Sequence, residues 1–130
     1  MKNNKGFKGC YYKDELPKTL KNGESIVINL DSSSTGNGGT HWTALKKTKD
    51  GYVYFDSFGM PCPEQVKQLT KEAKILWNSS QFQHKDSVLC GYYCVYVLRK
   101  LYDGQRFYDI LYSLNLNSTQ ANEELIRSLF

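Results

Sequence analysis

Apolar and polar residues follow one another along this chain in short runs with readable periods. Ser25-Ile26-Val27-Ile28-Asn29-Leu30 is β-branched throughout its centre, which predicts a buried strand. Residues 41–48 predict a second strand, with Trp42, Ala44 and Lys46 on one face and His41, Thr43 and Leu45 on the other. Lys49-Asp50-Gly51 then makes a tight turn, since Asp-Gly supplies the positive-φ positions a hairpin needs. Residues 52–58 are a third strand, in which Tyr52, Tyr54 and Asp56 alternate with Val53, Phe55 and Ser57. These two strands are antiparallel neighbours. His41 and Asp56 fall at similar distances from the turn and are expected to face each other across the ladder.

Gly59-Met60-Pro61-Cys62-Pro63 breaks the sheet, and residues 63–72 read as a helix with Val66 and Leu69 on one side. Residues 74–78 are a fourth strand, followed by a polar link over 79–87. The strongest helix spans 90–102: Cys94, Val97, Leu98 and Leu101 form its apolar stripe and Gly104 follows its end. A last helix covers 119–129, with Leu125, Ile126, Leu129 and Phe130 apolar. The stretch 31–40 carries no period, is punctuated by Gly36, Gly38 and Gly39, and ends at His41, so a loop is expected there. The fold class is α+β, with a central, mainly antiparallel sheet and helices packed on it.

Composition narrows the class. A chain of 130 residues is expected to form a single domain over 1–130, and 40% apolar with 23% charged residues excludes disorder as the main state. No apolar run approaches the ~20 residues of a bilayer span, and the opening Met1-Lys2-Asn3-Asn4-Lys5 lacks the apolar core of a signal peptide. A soluble monomer that is neither secreted nor membrane-bound is expected. The net charge of +4 sits unevenly: residues 1–50 hold nine lysines against five acids, whereas residues 51–130 balance eight against eight. That basic N-terminal segment suits either solubility or contact with nucleic acid or an acidic partner. Cys10, Cys62, Cys90 and Cys94 include no Cys-x-x-Cys pair. Without a secretion signal they are expected to be free thiols, and their spacing fits zinc poorly.

Cys90 stands at the first turn of the strongest helix, where the helix dipole and unsatisfied N–H groups stabilise a thiolate. Gly91 leaves the backbone beside it open to close approach by a substrate. The alternative for Cys90 is a buried structural thiol, the ordinary fate of free cysteine and the reading preferred for Cys94. A thiolate nucleophile needs a proton acceptor, and the chain holds two histidines, His41 and His84. His41 is favoured because Asp56 is expected on the adjacent strand, where a carboxylate can orient an imidazole. Acyl transfer also needs oxyanion donors. The N–H of Cys90 is one, and Gln81 or Gln83 supplies a side-chain amide.

Four blocks together resemble a known family. Gly38-Gly39-Thr40-His41-Trp42, Tyr54-Phe55-Asp56-Ser57-Phe58-Gly59, and Gln83 seven residues before Cys90-Gly91-Tyr92-Tyr93-Cys94 resemble the adenovirus-type maturation proteases (adenain) of the SUMO-protease superfamily. Tyr12-Lys13-Asp14-Glu15-Leu16-Pro17 and the strand over 26–30 resemble segments of the virophage and Polinton-type members. The resemblance covers about residues 9–102. It implies a papain-like, adenain-like cysteine protease fold. By position it makes Cys90 the nucleophile, His41 the base, Asp56 the orienting acid and Gln83 the oxyanion donor. Trp42 becomes an aromatic wall beside His41, and Gly38, Gly39 and Gly91 give room for the substrate backbone. It further implies cleavage of viral capsid precursors after small residues such as Gly, inside the virion and infected cell. It implies no cofactor or metal for the chemistry, and activation by DNA, through the basic N-terminal segment, or by a viral peptide.

The chain is much shorter than the adenoviral enzymes. For the cysteine to which their activating peptide is linked, the resemblance leaves Cys10 or Cys62. Two other readings stay open on the residues: a protease that removes ubiquitin-like proteins of the SUMO type, and a noncatalytic nucleic-acid-binding module built on the lysines and tyrosines.

Overall fold

The computed structural model describes residues 5–30, 41–71, 73–83, 89–114 and 117–130. Gly38, Gly39, the rest of the expected loop over 31–40, and His84 lie outside the described residues.

The strands are β1 (Phe7–Tyr12), β2 (Ser25–Asn29), β3 (Trp42–Thr48), β4 (Gly51–Phe55) and β5 (Ile75–Trp77). They form one sheet in sequence order. The helices are α1 (Glu64–Thr70), α2 (Cys90–Tyr102), α3 (Phe107–Tyr112) and α4 (Thr119–Leu129). The fold is α+β as expected, but the sheet is mixed. The central pairs β2–β3 and β3–β4 are antiparallel, whereas each edge strand runs parallel to its neighbour. The parallel pairs follow from the connections, because β5 returns through α1 rather than through a hairpin.

The β3–β4 turn forms where Asp50-Gly51 predicts it, pairing Thr48 with Gly51. Gly51 has φ +146°, and a Cβ there would lie 2.2 Å from the carbonyl oxygen of Lys74. That absent side chain lets Lys74 accept the N–H of Tyr52 and start the β4–β5 ladder.

Period-two patterning buries the sheet on both faces. Val27, Ala44, Val53 and Phe55 pack with Phe82, Tyr93, Cys94, Val97 and Leu98 of the α2 side, joined by Phe107, Ile110 and Ile126. The opposite face carries Ile26, Ile28, Leu45, Tyr52 and Tyr54 against Leu20, Val66 and Leu69.

Helices α2 and α4 have the limits the sequence predicts, and α1 is the shorter core of its expected segment. The third strand is shorter than expected and ends at Phe55. Asp56 leaves the ladder because its own Oδ1 accepts the N–H of Phe58 at 2.8 Å and closes a turn. Strand β1 and helix α3 are additions. Among the described residues no helix is long and apolar enough to cross a membrane.

Candidate active site

Three segments meet at one end of the sheet: the start of β3, the turn after β4 and the N-terminus of α2. Cys90 is the first residue of α2 and is buried. Its N-cap residue, Leu89, makes no side-chain cap hydrogen bond. Helix polarity there favours an anion. His41 immediately precedes β3, and its carbonyl accepts the N–H of Leu30 at 3.0 Å.

The His41 Nε2 donates to Asp56 Oδ1 at 2.6 Å, with the carboxylate side chain 1% exposed. The sequence predicts the two residues directly opposite each other, and they are not. Ala44 pairs with Phe55, so the register, continued outward, sets Asp56 across from Thr43. The contact is diagonal, made possible because Asp56 has turned out of the strand. The Phe58 ring lies 4.6 Å, centroid to centroid, from the imidazole and covers it.

Asp56 is held by its main chain as well. Its N–H donates to Asn78 Oδ1 at 3.1 Å, and its carbonyl accepts from Asn78 Nδ2 at 2.5 Å. Asn78, buried just after β5, therefore ties the acid to the neighbouring parallel strand. Sequence reasoning missed it. Its bonds to Asp56 span 22 residues, and no local pattern in the sequence marks them.

With Nε2 on Asp56, Nδ1 is the ring nitrogen left for Cys90. It is buried and makes no hydrogen bond among the described residues, so it is free to exchange a proton with the thiol. Burial alone would lower the imidazole pKa. The hydrogen bond to Asp56, the polar attraction of the Cys90 thiol and the charges of both outweigh it and raise the pKa to about 9. At Cys90 burial pushes the thiol up, but the neighbouring His41 imidazole and its charge, with the Trp42 and Gly91 backbone groups, bring it below the ordinary thiol range. Cys10, Cys62 and Cys94 all move upward, burial first among the causes. Cys90 alone is driven toward thiolate. Cys94 is fully buried one turn further along and donates to the Trp42 carbonyl at 3.4 Å, a packing role.

Gln83 is fully buried and enters the same end of the molecule. The Ser57 hydroxyl donates to its Oε1, which turns the amide Nε2 away from Ser57. The Ser57 carbonyl accepts the N–H groups of Phe82 and Gln83 at 2.8 and 3.1 Å. Gln81 is exposed and spends its own amide on the Gln83 carbonyl at 2.9 Å. One turn, Asp56-Ser57-Phe58, thus holds the acid with one residue and the buried glutamine with the next.

Trp42 and Gly91 come together. With Phe7, Cys10, Val27, Tyr92 and Val95 they line an apolar hollow of about 400 Å³. A Cβ at Gly91 would meet nothing within 4 Å, so the space beside Cys90 is open. Among the described residues no three His, Cys, Asp or Glu side chains cluster as metal ligands.

No protein-family model matches this chain, and no curated protein matches it. Solved structures do. The ASFV pS273R protease superposes with a TM-score of 0.51 at 23% identity over 79% of this chain and 40% of its own. Its selenomethionine form gives a TM-score of 0.50 at 24% identity over 66% of this chain and 37% of its own. The chain spans about two fifths of the length of that protease, and over this span it shares the protease's fold.

Proposed function

We propose that this chain is a cysteine endopeptidase of the adenain-like type, cutting viral capsid precursors after glycine. The observation that carries the reading is the buried relay in which Asp56 holds His41 at 2.6 Å and His41 in turn meets Cys90. The protease fold of the structural neighbour supports it.

The residues divide the work. The Cys90 thiolate attacks the scissile carbonyl carbon, and the oxygen becomes an oxyanion facing the Cys90 N–H and the Gln83 Nε2. The C–N bond breaks as His41 Nδ1 gives its proton to the leaving amine. Water then attacks the thioester while Nδ1 takes a proton back, and Cys90 leaves as thiolate. Asp56 orients the imidazole and stabilises the imidazolium throughout. No cofactor or metal takes part.

The extended substrate runs past Trp42 and Gly91. A glycine at the scissile position suits a cysteine that is 5% exposed, since no side chain there has to be accommodated. The enzyme acts as a monomer in the virion and infected cell. DNA, engaged by the basic N-terminal segment, or a viral peptide raises its activity.

The test is hydrolysis of a peptide panel differing only at the scissile position, with DNA present and absent. Wild-type protein should cut the Gly peptides, and Cys90→Ala should lower the rate by at least ~10³-fold. Cleavage that survives Cys90→Ala, or cleavage only of a folded ubiquitin-like conjugate, would overturn the proposal.

A further inference from the structure

We propose that Asn122 of α4 is a positioning residue for the oxyanion donor Gln83, an inference that rests on the protease reading above. The argument concerns a single peptide unit, the one joining Phe82 to Gln83. Its N–H donates to the Ser57 carbonyl at 3.1 Å. Its C=O accepts from Asn122 Nδ2 at 3.0 Å. Both ends of the plane are therefore fixed, by partners 26 and 40 residues away in sequence. Beyond the plane the Gln83 side chain is fixed again, by the Ser57 hydroxyl. With backbone and Oε1 both held, the direction of Nε2 is set before a substrate arrives, which is what an oxyanion hole requires.

Asn122 is 1% exposed, on the inner face of α4. The neighbouring residue, Glu123, accepts a hydrogen bond from the Tyr93 hydroxyl of α2. That hydroxyl also lies 3.4 Å from the Phe82 carbonyl, but its single proton serves the nearer carboxylate. Asn122 is thus the firm donor to Phe82, and the Tyr93–Glu123 contact fixes α4 against the helix that carries Cys90. Neither residue reaches the reacting atoms. Their effect passes through Gln83, so losing Asn122 should impair oxyanion chemistry and leave the Cys90–His41 pair intact.

Two reactions of Cys90 separate these effects. Acylation by p-nitrophenyl acetate passes through an oxyanion, whereas alkylation by iodoacetamide does not. In Asn122→Leu, acylation of Cys90 should fall ~10-fold, less than the ~10²–10³-fold expected for loss of the donor itself in Gln83→Ala. The rate and pH dependence of Cys90 alkylation should match wild type in both variants. Asn122→Ser is the milder substitution if Asn122→Leu does not fold, and it should show the same split. A folded variant with unchanged acylation overturns the inference. So does one in which acylation and alkylation fall together, since Asn122 would then support the whole site rather than Gln83. If wild-type Cys90 is acylated no faster than Cys10, the protease reading itself fails and takes this inference with it.

Discussion

At the scale of single residues the chemistry rests on one turn. Asp56 is the first residue beyond β4, and three contacts keep it there: its own bond to the Phe58 N–H and the two bonds from Asn78. Asp56→Asn keeps the shape and removes the charge. The His41 pKa should then fall from about 9 toward the ordinary imidazole value near ~6.5. Wild-type hydrolysis should be bell-shaped in pH. Activity rises as Cys90 ionises below the ordinary thiol range, and declines as His41 loses its proton near 9. Asp56→Asn should move the alkaline limb downward and cut kcat by on the order of 10²–10⁴-fold. An alkaline limb that stays near 9 in the variant would detach Asp56 from His41. Cys90, His41 and Asp56 stand out in the sequence because each sits at a break in pattern: a helix start, a strand start, a strand end; the polar link offered Gln81 or Gln83, and the family resemblance chose Gln83. Ser57, Asn78 and Asn122 do not stand out. Their hydrogen bonds join residues 26, 22 and 40 positions apart, and no local period marks them.

Among the elements, β2, β3, α2 and α4 were readable because apolar spacing and burial agree in each. Strand β1 escaped because Phe7-Lys8-Gly9-Cys10-Tyr11-Tyr12 alternates poorly and kinks at Gly9, where φ is +119°. It becomes a strand by pairing with β2, with a register shift between Phe7 and Cys10. Helix α3 has only six residues, too few for a periodic signal, and is held by Phe107 and Ile110 in the core. The turn after β4 shows how element ends serve the site. Gly59 has φ +74°, and a Cβ there would lie 2.8 Å from the carbonyl oxygens of Ser79 and Ser80. That backbone leads from Asn78 to Gln83. Gly59→Ala should cost more than ~1 kcal/mol, from positive φ and contact together. It should lower Tm by on the order of 3–6 °C per kcal/mol, and kcat should drop with it because both the acid and the glutamine shift. Calorimetry paired with a peptide assay checks this, and an unchanged Tm would show that the loop relaxes freely.

For the whole molecule, two apolar layers enclose one sheet, and the candidate site lies at the end where the sheet meets α2. The α4 helix belongs to the layer that carries α2. Ile126, 1% exposed, anchors it. Ile126→Ala should cost ~2–5 kcal/mol by removing buried methyl groups, which a denaturation midpoint would report. A cost below ~1 kcal/mol would mean that α4 is not part of the core. The fold class was legible from the alternation of strands and helices. The parallel edges were not, since strand direction depends on connections rather than on any residue's face. The central claim concerns charge: of four thiols in the molecule, one is paired with an imidazolium. The most direct measurement follows alkylation of all four cysteines against pH by mass spectrometry, in wild type and His41→Ala. Cys90 alone should react well below pH ~8.5, the ordinary thiol range, and His41→Ala should return it to the behaviour of Cys10 and Cys62. If Cys90 titrates with those two in the wild-type protein, the thiolate–imidazolium pair does not exist and the account fails.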